Sequence, residues 1–282
     1  MIKYPIENIQ QSISSFKYPI IDKSTKISSM GSCFARNIKD YFISNHYNYI
    51  KTEKSSQGFS AAWGRVYNTA CIRQIFEYSF ENFEPWQRWW IKNEKPFDPY
   101  RDDTESRDIN NVRVGWESHV KQSHKALTSC DVIIITLGLT ETLMDTRDRY
   151  VFSKNGIPNP QDADINNFKY HNRTHKECLS DLENVVRILA NHNFNCKIIL
   201  SISPVALGYS FREDIDVYSA NIASKSTLRS VANELTMKYS HVFYFPSYEI
   251  FNYSGKLKKD MRHPTPNSIK QIMNSFDKMF VI

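Results

Sequence analysis

Three short segments hold residue types that could do chemistry. Gly31-Ser32-Cys33-Phe34-Ala35 follows a short apolar run and precedes a helical pattern. A serine at such a turn lifts its hydroxyl above the sheet edge, with its N–H at the positive end of a helix. That is the logic of a nucleophile elbow, although the GxSxG pattern is absent; the plain alternative is an N-cap serine. In Asp260-Met261-Arg262-His263-Pro264 the carboxylate can accept from the imidazole and fix its tautomer, as an acid–base pair requires; a surface ion pair is the plain alternative. Thr136-Leu137-Gly138-Leu139-Thr140-Glu141 ends the most apolar run, where open α/β sheets bind ligands. Here the alternative is an ordinary turn. A thiol at a helix start can be activated, but the residue after an elbow nucleophile is expected to point into packing, so Cys33 ranks behind Ser32. His119, His124, His171 and His175 show no partner pattern. His171 and His175 could form half a metal site, but no further ligand motif follows and no metal is expected.

These residues need a scaffold. Lys26–Met30, Tyr47–Lys51, Asp131–Leu137, Lys197–Ile202 and His241–Phe245 read as strands. Cys33–Asn45, Asn68–Phe80, Thr174–His192 and Pro264–Phe280 read as helices, and Val217–Tyr239 as one long or broken helix. Thr174 with Glu177 spells a capping box. The alternation predicts an α/β fold with a mostly parallel sheet, in one domain spanning 1–282. Glu77–Trp116 does not fit it. Crowded with Trp86, Trp89, Trp90, Phe97, Tyr100 and Trp116, it is expected to be an insertion, either an aromatic satellite core or a lid that stacks on substrate.

Composition narrows the classes. The chain has 282 residues, 41% of them hydrophobic, and only eight glycines. Disorder and Gly-rich low complexity are excluded. A net charge of +6 is mild, so a nucleic-acid partner is not expected. The run Lys256-Leu257-Lys258-Lys259, with Arg262, is either a solvated loop or a basic rim favouring an anionic substrate. Five cysteines without CxxC spacing argue against a disulfide framework or a zinc site. No apolar window is long enough to span a membrane. The first twenty residues lack a signal-peptide core, so a cytoplasmic location is expected.

Together the segments follow the order of the SGNH/GDSL hydrolase superfamily, and the string GSCFA resembles the GSCFA domain family. The resemblance covers roughly Thr25 to Phe280. It includes Trp63-Gly64-Arg65-Val66-Tyr67-Asn68, the Gly138 junction, Ser203-Pro204-Val205, Asn221 with Ser224-Lys225-Ser226, Phe245-Pro246-Ser247-Tyr248-Glu249-Ile250 and the DMRHP segment. It implies a three-layer α/β/α, flavodoxin-like fold and an esterase that removes an acyl group, plausibly acetyl from a glycan, without a cofactor. Ser32 would be the nucleophile, His263 the base and Asp260 its orienting acid. The oxyanion would be held by the N–H groups of Ser32 and Gly64. The superfamily's GxND block reads Gly138-Leu139-Thr140-Glu141 here, so its missing amide would come from Asn68 or be replaced by the Thr140 hydroxyl. Gly138, Glu141 and Trp63 would contact substrate. The alternatives are an O-acyltransferase acting on a polysaccharide sugar and a non-catalytic glycan-binding module.

Overall fold

The computed structural model describes residues 12–13, 15–54, 59–81, 89–92, 94–98, 100–101, 108–152 and 164–282. Strands β1 (Ile27–Gly31), β4 (Val132–Leu137), β7 (Lys197–Ile202) and β8 (Val242–Phe245) form one parallel sheet in the order β1-β4-β7-β8. Every residue of β4 is buried, as expected of a central strand covered on both faces.

The strand period of two sorts these side chains into two cores. Ile133, Ile135 and Leu137, with Ile198, Leu200 and Ile202, pack against Ile72, Phe76, Leu182, Leu228 and Val231. Those residues come from α2 (Thr69–Phe80), α4 (His175–His192) and α5 (Val217–Lys238), and α3 (Ile109–Ser129) adds Leu127. Val132, Ile134, Ile199 and Phe245 face the other way. They meet Phe34, Ile38 and Phe42 of α1 (Cys33–Ser44), Ile250 of α6 (Ser247–Ser254), and Ile272, Phe276 and Phe280 of α7 (Pro266–Phe280). The result is a three-layer α/β/α sandwich. Each large apolar side chain buried in this way stabilises it by about 1.5–3 kcal/mol. The Thr174–Glu177 capping box starts α4 with both reciprocal hydrogen bonds in place.

Val217–Lys238 takes the long, unbroken form of the helix expected there. The architecture departs from expectation in three places. Tyr47–Lys51 is not a strand; Tyr49 makes one isolated bridge to Ile27 beside β1. Two antiparallel pairs, β2 (Trp90–Lys92) with β3 (Lys95–Phe97) and β5 (Glu141–Asp145) with β6 (Phe168–Asn172), lie outside the parallel sheet. Helix α3 begins inside the segment expected to be an insertion. Trp90, Tyr100, Leu143, Tyr150 and Phe152 form a separate buried cluster with Phe97 and Phe168, whereas Trp63 and Trp116 join the main core. Trp86 lies outside the described residues.

Candidate active site

A cavity of about 250 Å³ opens at the carboxyl ends of β1, β4 and β7, with Ser32, Cys33, Tyr67, Gly138, Ser203 and Arg262 among its walls. The turn after β1 is forced by Gly31. Its φ is +131°, and a Cβ there would lie 2.2 Å from the Thr136 carbonyl oxygen. β1 and β4 can therefore come together only with glycine at that position.

Ser32 caps α1 and is 2% exposed. Its hydroxyl lies 3.1 Å from the Thr136 hydroxyl and accepts from the Phe34 N–H at 3.4 Å. Its backbone N–H donates to the Thr136 hydroxyl at 2.9 Å and to the Thr136 carbonyl at 3.2 Å. The expectation that this N–H serves the oxyanion is corrected, because the group is already spent on β4. Cys33 is half-buried. Its Sγ lies on the cavity wall, 3.2 Å from the Tyr67 hydroxyl.

His263 Nδ1 donates to Asp260 Oδ2 at 2.7 Å. With the proton on Nδ1, Nε2 is left as the acceptor that a base requires. The backbone N–H groups of His263 and Arg262 both donate to Asp260 Oδ1 at 3.0 Å. These two backbone donors, His263 first, together with the imidazole, hold the Asp260 carboxyl well below the usual carboxylate range. The Arg262 carbonyl accepts from Ala206 N–H, tying this loop to the cavity wall. No hydrogen bond joins His263 to Ser32 or Cys33 among the described residues; the pair stands beside the cavity without closing on the turn.

Asn68 caps α2, with its Oδ1 accepting from the Cys71 N–H at 2.9 Å. It is 1% exposed, and its Nδ2 has no hydrogen-bond partner. Its segment lies against the elbow: the Val66 N–H donates to the Gly31 carbonyl at 2.8 Å, and the Tyr67 carbonyl accepts from both Gly138 and Leu139 at 3.0 Å. The amide thus has its oxygen bonded and its N–H₂ unpaired, although Asn68, unlike its neighbour Tyr67, is not among the residues that line the cavity. Gly64 adopts φ +67° in the same segment but does not line the cavity.

Three expected site residues are engaged elsewhere. The Thr140 hydroxyl donates to Asn172 at 2.6 Å and meets the Ser224 hydroxyl at 2.8 Å, which removes it as an oxyanion donor. Glu141 accepts from the Ser210 hydroxyl at 2.7 Å and the Phe211 N–H at 2.8 Å; it anchors a loop and does not contact the cavity. Trp63 is a core residue whose indole N–H donates to Ser123 at 2.8 Å. The Gly138 Cα does pack close to Ser32, since a Cβ placed on it would lie 3.3 Å from the Ser32 Cβ. His171 and His175 face carboxylates, Glu177 at 2.8 Å and Glu234 at 3.7 Å. No cluster of three metal-ligand residues occurs among the described residues, and no helix among them is long and apolar enough to cross a membrane.

Of the expected basic rim, Arg262 lines the cavity, whereas Lys256, Lys258 and Lys259 are exposed and do not; Arg65 and Lys225, given no role in the sequence reading, belong to the site as well. Lys225 is buried, its Nζ donating to the Gly138 carbonyl at 2.6 Å and the Val205 carbonyl at 3.0 Å. Burial pushes its ammonium down to about 7. The signal was its position on the inward stripe of α5 with Leu228, Val231 and Leu235.

The GSCFA family model matches residues 26–276. No curated protein matches the chain. Among solved structures, a carbohydrate esterase family 3 protein from Talaromyces cellulolyticus is 11% identical, with a TM-score of 0.39 over 89% of this chain and 94% of that one. An acetyl esterase mutant with acetate ion is 11% identical, TM-score 0.37, over 89% and 93%. A structure described as a GDSL-like lipase from Parabacteroides merdae is 17% identical, TM-score 0.34, over 61% and 67%.

Proposed function

Since the chain belongs to the GSCFA family, we propose that it is an esterase-type hydrolase that works through a covalent acyl-enzyme on the Gly31–Ser32–Cys33 turn. The observation that supports this reading is a cavity lined by Ser32 and Cys33 of that turn and by Arg262, whose neighbour His263 has its Nδ1 held at 2.7 Å by Asp260. The nucleophile attacks the ester carbonyl carbon as His263 Nε2 takes its proton. The oxyanion accepts from Asn68 Nδ2. The C–O bond then breaks, and the alcohol leaves with the proton from His263. Water, deprotonated by the same nitrogen, attacks the acyl group and releases the acid. No step calls for a cofactor. An acetyl ester on a glycan is the substrate this reading favours, met in the cytoplasm by a single-domain enzyme. A sugar hydroxyl replacing water would give an O-acyltransferase, and product analysis with and without acceptor sugar separates the two.

The sequence reading puts the nucleophile at Ser32. One observation favours Cys33: its thiol stands half-exposed on the cavity wall, while the Ser32 hydroxyl is 2% exposed and engaged with Thr136. The test is to quench a reaction with 4-nitrophenyl acetate in acid and map the acetylated peptide by mass spectrometry. Acetyl on Cys33 supports a thioester intermediate, and acetyl on Ser32 restores the serine reading. Absence of both turnover and adduct leaves the non-catalytic binding module.

A further inference from the structure

Among the described residues, Arg65 and Arg262 line the cavity and no Asp or Glu does. Arg262 spends Nε and Nη2 on the single carbonyl of Ala206, each at 3.3 Å. Among the described residues no carboxylate pairs with this guanidinium, and its Nη1 has no acceptor. The group lies over Gly208, where an added Cβ would come within 2.7 Å of both Cζ and Nη1; the missing side chain is what seats the guanidinium against the wall. Behind the same wall Lys225 Nζ donates to the carbonyls of Gly138 and Val205. A guanidinium without a carboxylate partner at a walled cavity is stabilised by a ligand of the opposite sign, and its planar fork suits an oxyanion in particular. The remaining walls, Leu139, Val205, Ala206 and Leu207, are apolar and leave room for a short chain.

We propose that Arg262 forms an oxyanion subsite, so that the preferred ester carries a carboxylate or phosphate within a few bonds of the scissile carbonyl. This rests on the ester-hydrolase reading only for its catalytic half; the subsite itself is a binding site. Arg262 precedes His263, so an anion held there sets the ester beside the base. The exposed lysines at 256, 258 and 259 play no part in it.

The test compares umbelliferyl hemisuccinate with umbelliferyl butyrate, two esters of similar length. The readout is the ratio of their kcat/KM values, which cancels damage to the shared chemical step. Wild type is expected to favour the hemisuccinate at least 10-fold. Arg262→Gln should bring the ratio near one, Arg262→Lys should keep part of it, and Gly208→Ala should lower it by displacing the guanidinium. A wild-type ratio at or below one, or a ratio that Arg262→Gln leaves unchanged, overturns the proposal. A binding arm uses succinate and inorganic phosphate separately, read as a shift in Tm. Either anion should raise the wild-type Tm by more than that of Arg262→Gln, and the more effective one identifies the group. If neither ester turns over but an anion shifts Tm through Arg262, the hydrolase reading fails and the subsite stands. If no anion shifts Tm and no ester turns over, both fail.

Discussion

Among the described residues, two histidines hold a carboxylate at Nδ1, and they have opposite surroundings. His119 Nδ1 meets Glu53 at 2.7 Å and its Nε2 accepts from the Tyr78 hydroxyl at 2.8 Å, with Ser123 nearby at 3.4 Å. That cluster contains serine, histidine and an acid, yet His119 is wholly buried and every ring nitrogen is spent. Burial lowers its pKa, so the neutral ring is the stable form. His263 has the same Nδ1 partner type, but it is partly exposed beside a cavity and its Nε2 is unpaired among the described residues. A triad-like composition alone does not make a catalytic site. Chemistry needs a hydrogen-bonding position left open toward a space that substrate can enter. Asn68 and Thr140 differ in hydrogen bonding alone: one has an unpaired amide, the other a hydroxyl with two partners.

Breaking the comparison begins with the two histidines. His263→Ala should lower kcat/KM on an aryl acetate by roughly 100- to 10,000-fold with little change in Tm. His119→Ala should do the reverse, leaving turnover near wild type while costing about 1–3 kcal/mol for the partners it strands. Loss of activity in a fully folded His119→Ala would sink the distinction. Asn68→Ser keeps an N-cap acceptor but removes the amide donor, and kcat should fall about 100- to 1000-fold. The matched change Thr140→Ser should be nearly silent in the same assay.

The buried ammonium sharpens the comparison through pH. Lys225 has a folded value of about 7 against an ordinary value of 10.5. The unfolded chain therefore binds more protons between those limits, and this group makes stability rise with pH across that window. Denaturant titrations from pH 7 to 10 should show that slope in wild type and lose it in Lys225→Met. Ser32→Ala tests the turn itself. If Ser32 only caps α1, the cost is about 0.5–2 kcal/mol in stability and acylation of Cys33 persists; complete loss of acyl-enzyme would return the nucleophile to Ser32.

Much of the scaffold was legible because it rests on local patterns. The apolar run of β4, the capping box at Thr174 and the Asp260–His263 spacing each lie within a few residues. What escaped depends on contacts across the chain. Glu53 and His119 are 66 residues apart, and nothing in either neighbourhood announces the pair. Trp63, expected to contact substrate, is held in the core by Ser123, which lies on a helix distant in sequence. β5 and β6 carry neither a long apolar run nor a short turn between them, so no hairpin signal exists. Arg262 read as part of a basic run because its direction is set by Ala206 and Gly208 on another loop.

The parallel register that sets Gly31 against Thr136 also bears on the order of synthesis. The elbow is made early, but its supporting strand emerges about a hundred residues later, and the loop bearing the base comes later still. Long-range parallel pairing is slow to form, and chains fold as they are made, N-terminal parts first. On the proposed reading, a nascent chain stopped before residue 260 holds the nucleophile turn without its base. Fragments split between residues 240 and 260 should then be inert apart and active only once they have reassembled.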